Sequence, residues 1–292
     1  MTAGTATTAA PALATGRRRG QTELARAVPL LIFFLLFFDI PLMLTLGWSL
    51  RVKGAGSGVT LAHYAEVFTS PLYLPVIWRT MQVALSVTIV TGLLGYPLAL
   101  WMSRLQPARQ VVAVGLVVIP FWVSILVRTY AWIVVLGNGG IVNRLLQGAG
   151  LTDQPIGFLY NEFGVTVGMV NVVLPYLVLP LFAAMLRVDK RLLQVAATMG
   201  AREWTIFWRV FLPITLPALV AGMVLVFILS LGFYITPAIL GGGKVPMVAN
   251  MMDFLINRFP NWERAATISV CLLALTLAFY AAYQWLRART LT

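Results

Sequence analysis

Long apolar stretches separated by short polar ones run through almost the whole chain. Each is close to the roughly 20 residues that an α-helix needs to cross the hydrocarbon core of a bilayer. Helices satisfy their own backbone hydrogen bonds there, whereas a membrane barrel would show weaker, alternating segments of about ten residues. The pattern predicts an all-α membrane protein with six transmembrane helices, near residues 27–50, 76–102, 110–127, 163–186, 213–240 and 266–286.

The composition supports a membrane protein, and the distribution of charge argues against nucleic-acid binding. Of 292 residues, 60% are hydrophobic and only 10% are charged, whereas about a quarter of a soluble domain is charged. The net charge of +12 does not indicate a nucleic-acid partner, because the basic residues lie between apolar spans rather than on one soluble face.

The distribution of basic residues predicts the orientation in the membrane. Loops on the cytoplasmic side carry an excess of Lys and Arg, and basic residues precede the first predicted span and follow the second, fourth and sixth. We therefore expect a multi-pass protein of the bacterial plasma (inner) membrane with both termini in the cytoplasm. The residues are Arg17, Arg18, Arg19, Arg26, Arg104, Arg109, Arg187, Lys190, Arg191, Arg202, Arg209, Arg287 and Arg289.

The first 26 residues differ from the rest of the chain. They are rich in Thr, Ala and Gly, which is typical of a disordered tail. The apolar stretch after them, from Ala27 to Leu50, is longer than the roughly 7 to 15 residues of a signal-peptide core. We expect residues 1–26 to form a disordered cytoplasmic tail and residues 27–292 to form one transmembrane domain.

The longest inward loop, residues 187–212, reads RVDKRLLQVAATMGAREWTIFWRVFL. We expect two short helices. The first lies before Gly200, which supplies a corner where a helix can end. In the second, aromatic residues three and four positions apart form an apolar face against the membrane, and Pro213 follows. A small helix projecting from the membrane suits docking into a groove on a soluble partner.

This loop resembles the signature of the inner-membrane permeases of ABC importers. That signature runs Glu-Ala-Ala, three residues, Gly, and about nine residues to an Ile- or Leu-Pro. Gln194 stands where the family usually has glutamate, and Val195 where it usually has alanine. The matching positions are Gln194, Val195, Ala196, Gly200, Ala201, Arg209, Val210, Leu212 and Pro213.

The resemblance implies a fold, partners and an energy source. It implies the type I ABC importer permease fold of six transmembrane helices, with a cytoplasmic coupling helix that sits in a cleft of an ATP-binding subunit. It also implies a second permease subunit and a periplasmic or surface solute-binding protein. ATP would be used by the partner subunit, and no cofactor would be bound by this chain. Gly241–Lys244 is not a phosphate loop, because Val245 follows where Ser or Thr is needed.

Two further segments resemble one branch of this family. PFWVSILVRTYAWIVVLGNGGIVN at 120–143 and SLGFYITPAILGGGK at 230–244 are similar to permeases for spermidine, putrescine and related solutes, a branch that includes opine importers. The expected function is a permease subunit that forms half of a polyamine path. Many relatives carry an acidic residue where this chain has Phe233, so an opine or amino-acid-like solute stays open.

Five residues are candidates for the solute path: Asp39, Trp122, Tyr130, Phe233 and Tyr234. Asp39 lies inside the first span, two residues before Pro41, and an ionisable group there is a functional candidate. It would attract a cationic solute, cap a helix broken at the proline, or pair with Arg79 or another permease. The aromatic rings attract organic ammonium groups but also belong at membrane interfaces.

Other functions require features that the sequence lacks. A membrane protease needs paired acids, a metal-binding HExxH or a serine with a histidine. The chain has one histidine, His63 in a predicted outer loop, so we expect neither an enzyme nor a metal site. An ion-coupled secondary transporter would show internal repeats and several buried acids. It remains an alternative, as does a non-transport assembly factor.

Overall fold

A computed structural model describes residues 28–52 and 58–290, so the predicted tail at 1–26 lies outside the described residues. The described chain is built from helices joined by short turns, with one β-bridge between Arg51 and Val59. The helices are α1 Val28–Ser49, α2 Ala62–Thr69, α3 Tyr73–Arg104, α4 Pro107–Val118, α5 Ile125–Leu136, α6 Ile141–Gly148, α7 Glu162–Leu186, α8 Lys190–Thr198, α9 Glu203–Leu231, α10 Ile235–Leu240, α11 Val248–Asp253 and α12 Trp262–Thr290.

Six helical segments are long and apolar enough to cross a membrane, which confirms the predicted all-α membrane architecture. The first, second, fourth and sixth predicted spans differ from the observed ones only near their ends. The segments are Val28–Ser49, Tyr73–Arg104, Ile125–Gly148, Glu162–Leu186, Glu203–Leu231 and Trp262–Trp285, with a shorter apolar helix at Pro107–Trp122.

Because successive spans run in opposite directions, the connections gather at two ends of the bundle. We call one the coupling-loop end; it contains residues 105–106 and 187–202. The other, the opposite end, contains residues 50–52, 58–72, 137–161 and 232–261.

The core of the bundle lies between α3, α7 and α9, which pack most extensively against one another. Val87, Met169, Leu177 and Val226 are fully buried in one cluster there. Close approach requires a small residue at Gly222, where a Cβ would lie 2.5 Å from a methyl group of Leu177. Short distances between backbones are how helices gain packing contacts inside a bilayer.

The third crossing is interrupted, so the predicted continuous span at 110–127 is wrong. The chain forms a 3₁₀ turn at Ile119–Trp122 and is then extended at Val123 and Ser124. Ala113 of α4 packs with buried residues near the coupling-loop ends of α3 and α7, whereas α5 packs against α10. Thus α4 and α5 follow one another and form a single crossing of the bundle. Pro120, which has no N–H to donate, lies within the break.

The fifth span is also displaced from its predicted position at 213–240. Helix α9 begins before the membrane, at Glu203, and ends at Leu231. Residues 232–234 leave the helix, and α10 is a separate helix. The aromatic stretch that we expected to be a second short helix is therefore the first part of α9.

Three turns within the described residues are π-helical, and each stands just before a proline. A proline has no N–H and its ring clashes with the carbonyl four residues earlier. A wider turn, in which the preceding residue bonds five residues back, removes this conflict. The turns are Leu35–Asp39 before Pro41, Phe207–Phe211 before Pro213 and Phe254–Arg258 before Pro260, closed by N–H groups of Ile40, Leu212 and Phe259.

Helix α1 lies at the edge of the bundle. Its most extensive packing is against α12, the last helix. The hydroxyl of Thr267 donates a hydrogen bond of 3.3 Å to the carbonyl of Ser49 where the two helices meet. In the most apolar 18-residue stretch of α1, no residue is buried within the chain. In the corresponding stretches of α3 and α7, half of the residues are buried.

Candidate coupling loop and solute path

Helix α8 begins with a side-chain cap. Asp189 is extended, and its Oδ1 atom accepts a 2.8 Å hydrogen bond from the N–H of Arg191. The first N–H groups of a helix have no partner within it, so such a cap stabilises the start of a short helix by about 1 kcal/mol.

Helix α8 ends at the predicted glycine. Gly200 has φ of +82°, a left-handed conformation that glycine adopts without steric cost. Its N–H donates to the carbonyl of Ala197 at 3.0 Å, and the N–H of Ala201 donates to the carbonyl of Ala196 at 3.2 Å. These two bonds form a Schellman motif. The predicted helix and its corner at Gly200 are therefore confirmed.

The surface of α8 is open. None of its residues is buried, and Val195 is 58% exposed while Met199, just after the helix, is 83% exposed. Gln194, at the departure from the family signature, is also exposed. An exposed helix with apolar side chains and no buried residue has the geometry of an element that docks into a groove.

The rest of the loop joins α8 to the bundle through aromatic rings. Arg209 and Pro213, predicted as loop residues, lie within α9. The hydroxyl groups of Tyr96 in α3 and Thr215 in α9 lie 3.0 Å apart. Helix α8 is therefore joined to α3 through a packed aromatic segment at the start of α9. The rings that pack in this segment are those of Tyr96, Trp204, Phe207, Trp208 and Phe211.

Asp39 lies on the exposed surface of α1 and does not cap a helix end with its side chain. It also does not pair with Arg79, whose guanidinium forms an ion pair with Glu162 at the start of α7. Two of the alternatives for Asp39 within this chain are thus excluded. The remaining ones are a cationic solute and another permease.

The four aromatic candidates do not meet in one site. Trp122 is 88% exposed at the break in the third crossing, and Tyr130 is 58% exposed on α5. Phe233 packs against the central core instead. Tyr234 is 41% exposed in the segment between α9 and α10, so of the two rings in this second break it is the exposed one.

Tyr234 has a carboxylate neighbour that sequence reasoning did not assign to the path. A side-chain hydrogen bond with Asp253, at the end of α11, raises the pKa of the Tyr234 phenol above its ordinary value, because it stabilises the neutral hydroxyl. Asn257 donates a 2.6 Å hydrogen bond to the same carboxylate. The amide of Asn250 donates to the carbonyl of Tyr234 at 3.0 Å, which fixes α11 beside the break.

A second feature missed in the sequence is a cleft of about 360 Å³ beside the break in the third crossing. Arg128 and Asn171 supply polar side chains to it. The third predicted span ends at residue 127 and leaves Arg128 just outside it, whereas the structure places Arg128 in one cleft with Asn171, nine residues after the start of α7. The sequence feature that could have indicated this cleft is Arg128 itself, a single charged residue within a long apolar run. The other lining residues are Ile119, Pro120, Val123, Ala131, Trp132 and Val135.

A bundle of membrane-crossing helices with an exposed helix at one end defines the class of protein as a polytopic membrane protein. Comparison with protein families makes this specific. The chain belongs to the binding-protein-dependent transport system inner membrane components, whose family pattern matches residues 19–292. It is therefore a permease subunit of an ABC importer, a multi-pass inner-membrane transport component and not an enzyme.

Individual relatives agree with this membership. The spermidine/putrescine transport system permease protein PotB of Haemophilus influenzae is 37% identical, over 84% of this chain and 86% of the relative. The putative 2-aminoethylphosphonate transport system permease protein PhnU of Salmonella typhimurium is 28% identical, over 90% and 91%.

The fold is that of a solved importer. The crystal structure of a bacterial alginate ABC transporter, in complex with an alginate pentasaccharide-bound periplasmic protein, has a chain with a TM-score of 0.67 and 18% identity. The match covers 91% of this chain and 93% of that one. The predicted type I permease fold is confirmed.

Proposed function

We propose that this chain forms half of the path of a polyamine importer and that α8 couples the path to a separate ATPase. The observation that carries the coupling role is the state of α8, which is capped at Asp189, ends at Gly200 and has no buried residue. The docking contact would supply the burial that the chain itself does not give to this helix.

Energy would come from ATP bound and hydrolysed by the partner subunit, with no cofactor bound by this chain. Closure of two ATPase subunits would move α8, and the aromatic packing between α9 and α3 would pass the movement to the core helices. A second permease would form the other half of the path. A solute-binding protein would dock at the opposite end. The solved alginate transporter is a complex with a periplasmic protein, which supports a partner of this kind.

The basic residues support an orientation for the bundle. Arg104, Arg187, Lys190, Arg191 and Arg202 all lie at or next to the coupling-loop end. This end would face the cytoplasm, where ATP is available, and both termini would lie on the same side.

The cargo proposal rests on two supports. The H. influenzae relative is named for spermidine and putrescine. Tyr234 and Asp253 place an aromatic ring and a carboxylate together beside the break after α9, and both groups attract organic ammonium ions. Asp253 would thus provide a negative charge at the break that contains Phe233 and Tyr234.

Coupling is tested by purifying the chain in detergent with its ATPase, as wild type and as Gly200→Pro. Proline cannot adopt φ of +82° and has no N–H for the bond to Ala197, so we expect the ATPase to be lost from the variant. Gly150→Pro is a matched control, because Gly150 has φ of +68° and also ends a helix, but at the opposite end.

Both variants must elute as single species in size-exclusion chromatography. If folded wild-type protein retains no ATPase, or if Gly200→Pro retains as much as Gly150→Pro, the coupling proposal fails.

Cargo is tested separately, by uptake of labelled putrescine and spermidine into proteoliposomes that contain the full importer and its binding protein. We expect ATP-dependent uptake that unlabelled diamine suppresses and 2-aminoethylphosphonate does not. Asp253→Asn should lower uptake several-fold, whereas Asp153→Asn, in the loop before α7, should not. Suppression by 2-aminoethylphosphonate alone would replace the polyamine assignment while leaving the coupling proposal intact.

A further inference from the structure

In the part of the chain that the structure describes, no carboxylate pairs with the cation in the cleft beside the break in the third crossing. This cation is Arg128, whose Nε atom is buried and forms no hydrogen bond with any described residue. Within residues 28–52 and 58–290, the guanidinium takes part in neither of the two ion pairs, Arg79–Glu162 and Arg264–Glu66. A buried donor without a partner costs about 1 to 3 kcal/mol, and more when it is charged.

Asn171 brings a second polar group to the same cleft. No side-chain hydrogen bond of Asn171 occurs among the described residues either. Its carboxamide and the Arg128 guanidinium therefore present N–H donors to one space of about 360 Å³. The remaining lining is apolar, which strengthens any charge interaction inside it.

The chemistry of these donors selects an oxyanion. A guanidinium binds a carboxylate through two parallel N–H···O bonds, and an amide N–H extends the same recognition. Asn171 lies nine residues after Glu162, the first residue of α7, so the cleft is about 14 Å below the opposite end. That depth separates it from lipid phosphates, which lie at the surface of the bilayer.

We propose that the Arg128–Asn171 cleft receives a carboxylate side chain of the second permease. The inference rests on the proposed function, because a polyamine carries no carboxylate that would fill the cleft. A path for organic cations needs carboxylates, and this half exposes few. The second permease must supply them, and an Arg128 ion pair holds one of them at the interface between the two halves.

The first test compares the purified complex of both permeases and the ATPase in wild type, Arg128→Gln and Arg128→Lys. Loss of one member of a buried charge pair weakens association at least about thirtyfold, so Arg128→Gln should lose the second permease. Arg128→Lys should lose less, since it keeps the charge. Arg144→Gln, an exposed position on α6, should behave as wild type.

A second variant separates misfolding from a lost contact. Asn171→Asp places a carboxylate in the cleft from within this chain, so it should raise the thermal unfolding midpoint of the isolated chain and still weaken binding of the second permease. Both effects together support the proposal. An Asn171→Asp chain that binds the second permease as tightly as wild type overturns it.

Two other results also overturn the proposal. One is an Arg128→Gln complex that assembles as wild type does. The other is normal assembly and putrescine uptake combined with loss of uptake of a carboxylate-bearing amine, which would assign the oxyanion to cargo. Failure of the wild-type chain to bind any ATPase would instead contradict the proposed function, and the Arg128 variants would be compared for the two permeases alone.

Discussion

Helices α6 and α8 end in the same way at opposite ends of the bundle. Gly150 has φ of +68° and Gly200 has φ of +82°. In α6, the N–H of Gly150 donates to Gln147 and that of Leu151 to Leu146. This repeats, residue for residue, the Schellman motif that closes α8. The local sequence thus ends both short helices with the same Schellman motif at a glycine.

The two helices differ in how they are attached. Asn143 of α6 is fully buried; its amide donates to the carbonyls of Gly137 and Ile156 at 3.0 Å, and its Oδ1 atom accepts from the N–H of Ile156 at 2.8 Å. Helix α8 has no buried residue at all. The two helices have the same terminal geometry and differ only in their contacts with the rest of the chain. These contacts decide whether a short helix is part of the packed bundle or is available to a partner.

The largest effect is expected from removing the attachment of α6. Asn143→Ala deletes three hydrogen bonds at a fully buried side chain and leaves the N–H of Ile156 without its partner. At about 1 kcal/mol for each bond, the cost is about 3 kcal/mol. A lower thermal unfolding midpoint in detergent, measured by the fluorescence of the tryptophans, would show it. Gln147→Ala on the exposed side of α6 is the control. Equal midpoints for the two variants would mean that Asn143 does not attach the helix.

A second effect should appear only at α8. Val195→Asp puts a charge on an exposed apolar position, so folding should be unchanged while affinity for the ATPase falls about thirtyfold, or about 2 kcal/mol. Leu145→Asp on α6, 68% exposed, is the matched change and should leave this affinity as it is. A titration of ATPase activity against permease measures both. Similar loss in both variants would remove the distinction between the helices.

The smallest effect tests the feature that the helices share. Alanine at φ near +70° costs about 1 to 2 kcal/mol, and a Cβ at either Gly150 or Gly200 meets no neighbouring atom within 4 Å. Gly150→Ala and Gly200→Ala should therefore destabilise their helices equally, as measured by amide hydrogen exchange. Transport per ATP hydrolysed should fall only for Gly200→Ala. Unequal exchange would show that a tertiary contact holds one of the corners.

The sequence predicted those parts of the molecule that depend on local patterns. The apolar runs predicted six spans. Gly200 and the small residues before it predicted the position of α8 and the end of that helix. The break in the third crossing was missed because Pro120 lies within a long apolar run, and only the packing of α4 and α5 on different halves of the bundle reveals it.

The polar features were missed for a related reason. Arg128 and Asn171 are 43 residues apart, and Asp253 reaches Tyr234 only because α11 returns to the break after α9. No spacing rule connects such residues. Conversely, Asn143 is an ordinary polar residue in the sequence, and its role depends on a loop that folds back to Ile156.

The contact between α1 and α12 has a consequence for how the protein is made. Helix α1 is synthesised well before α12, its main packing partner, and the hydrogen bond between Ser49 and Thr267 spans 218 residues. During synthesis α1 must therefore remain undocked, with Asp39 inside the bilayer, while α3, α7 and α9 assemble their core. Insertion of α12 supplies the packing partner of α1, so a chain truncated before Trp262 would keep its core and leave α1 unattached.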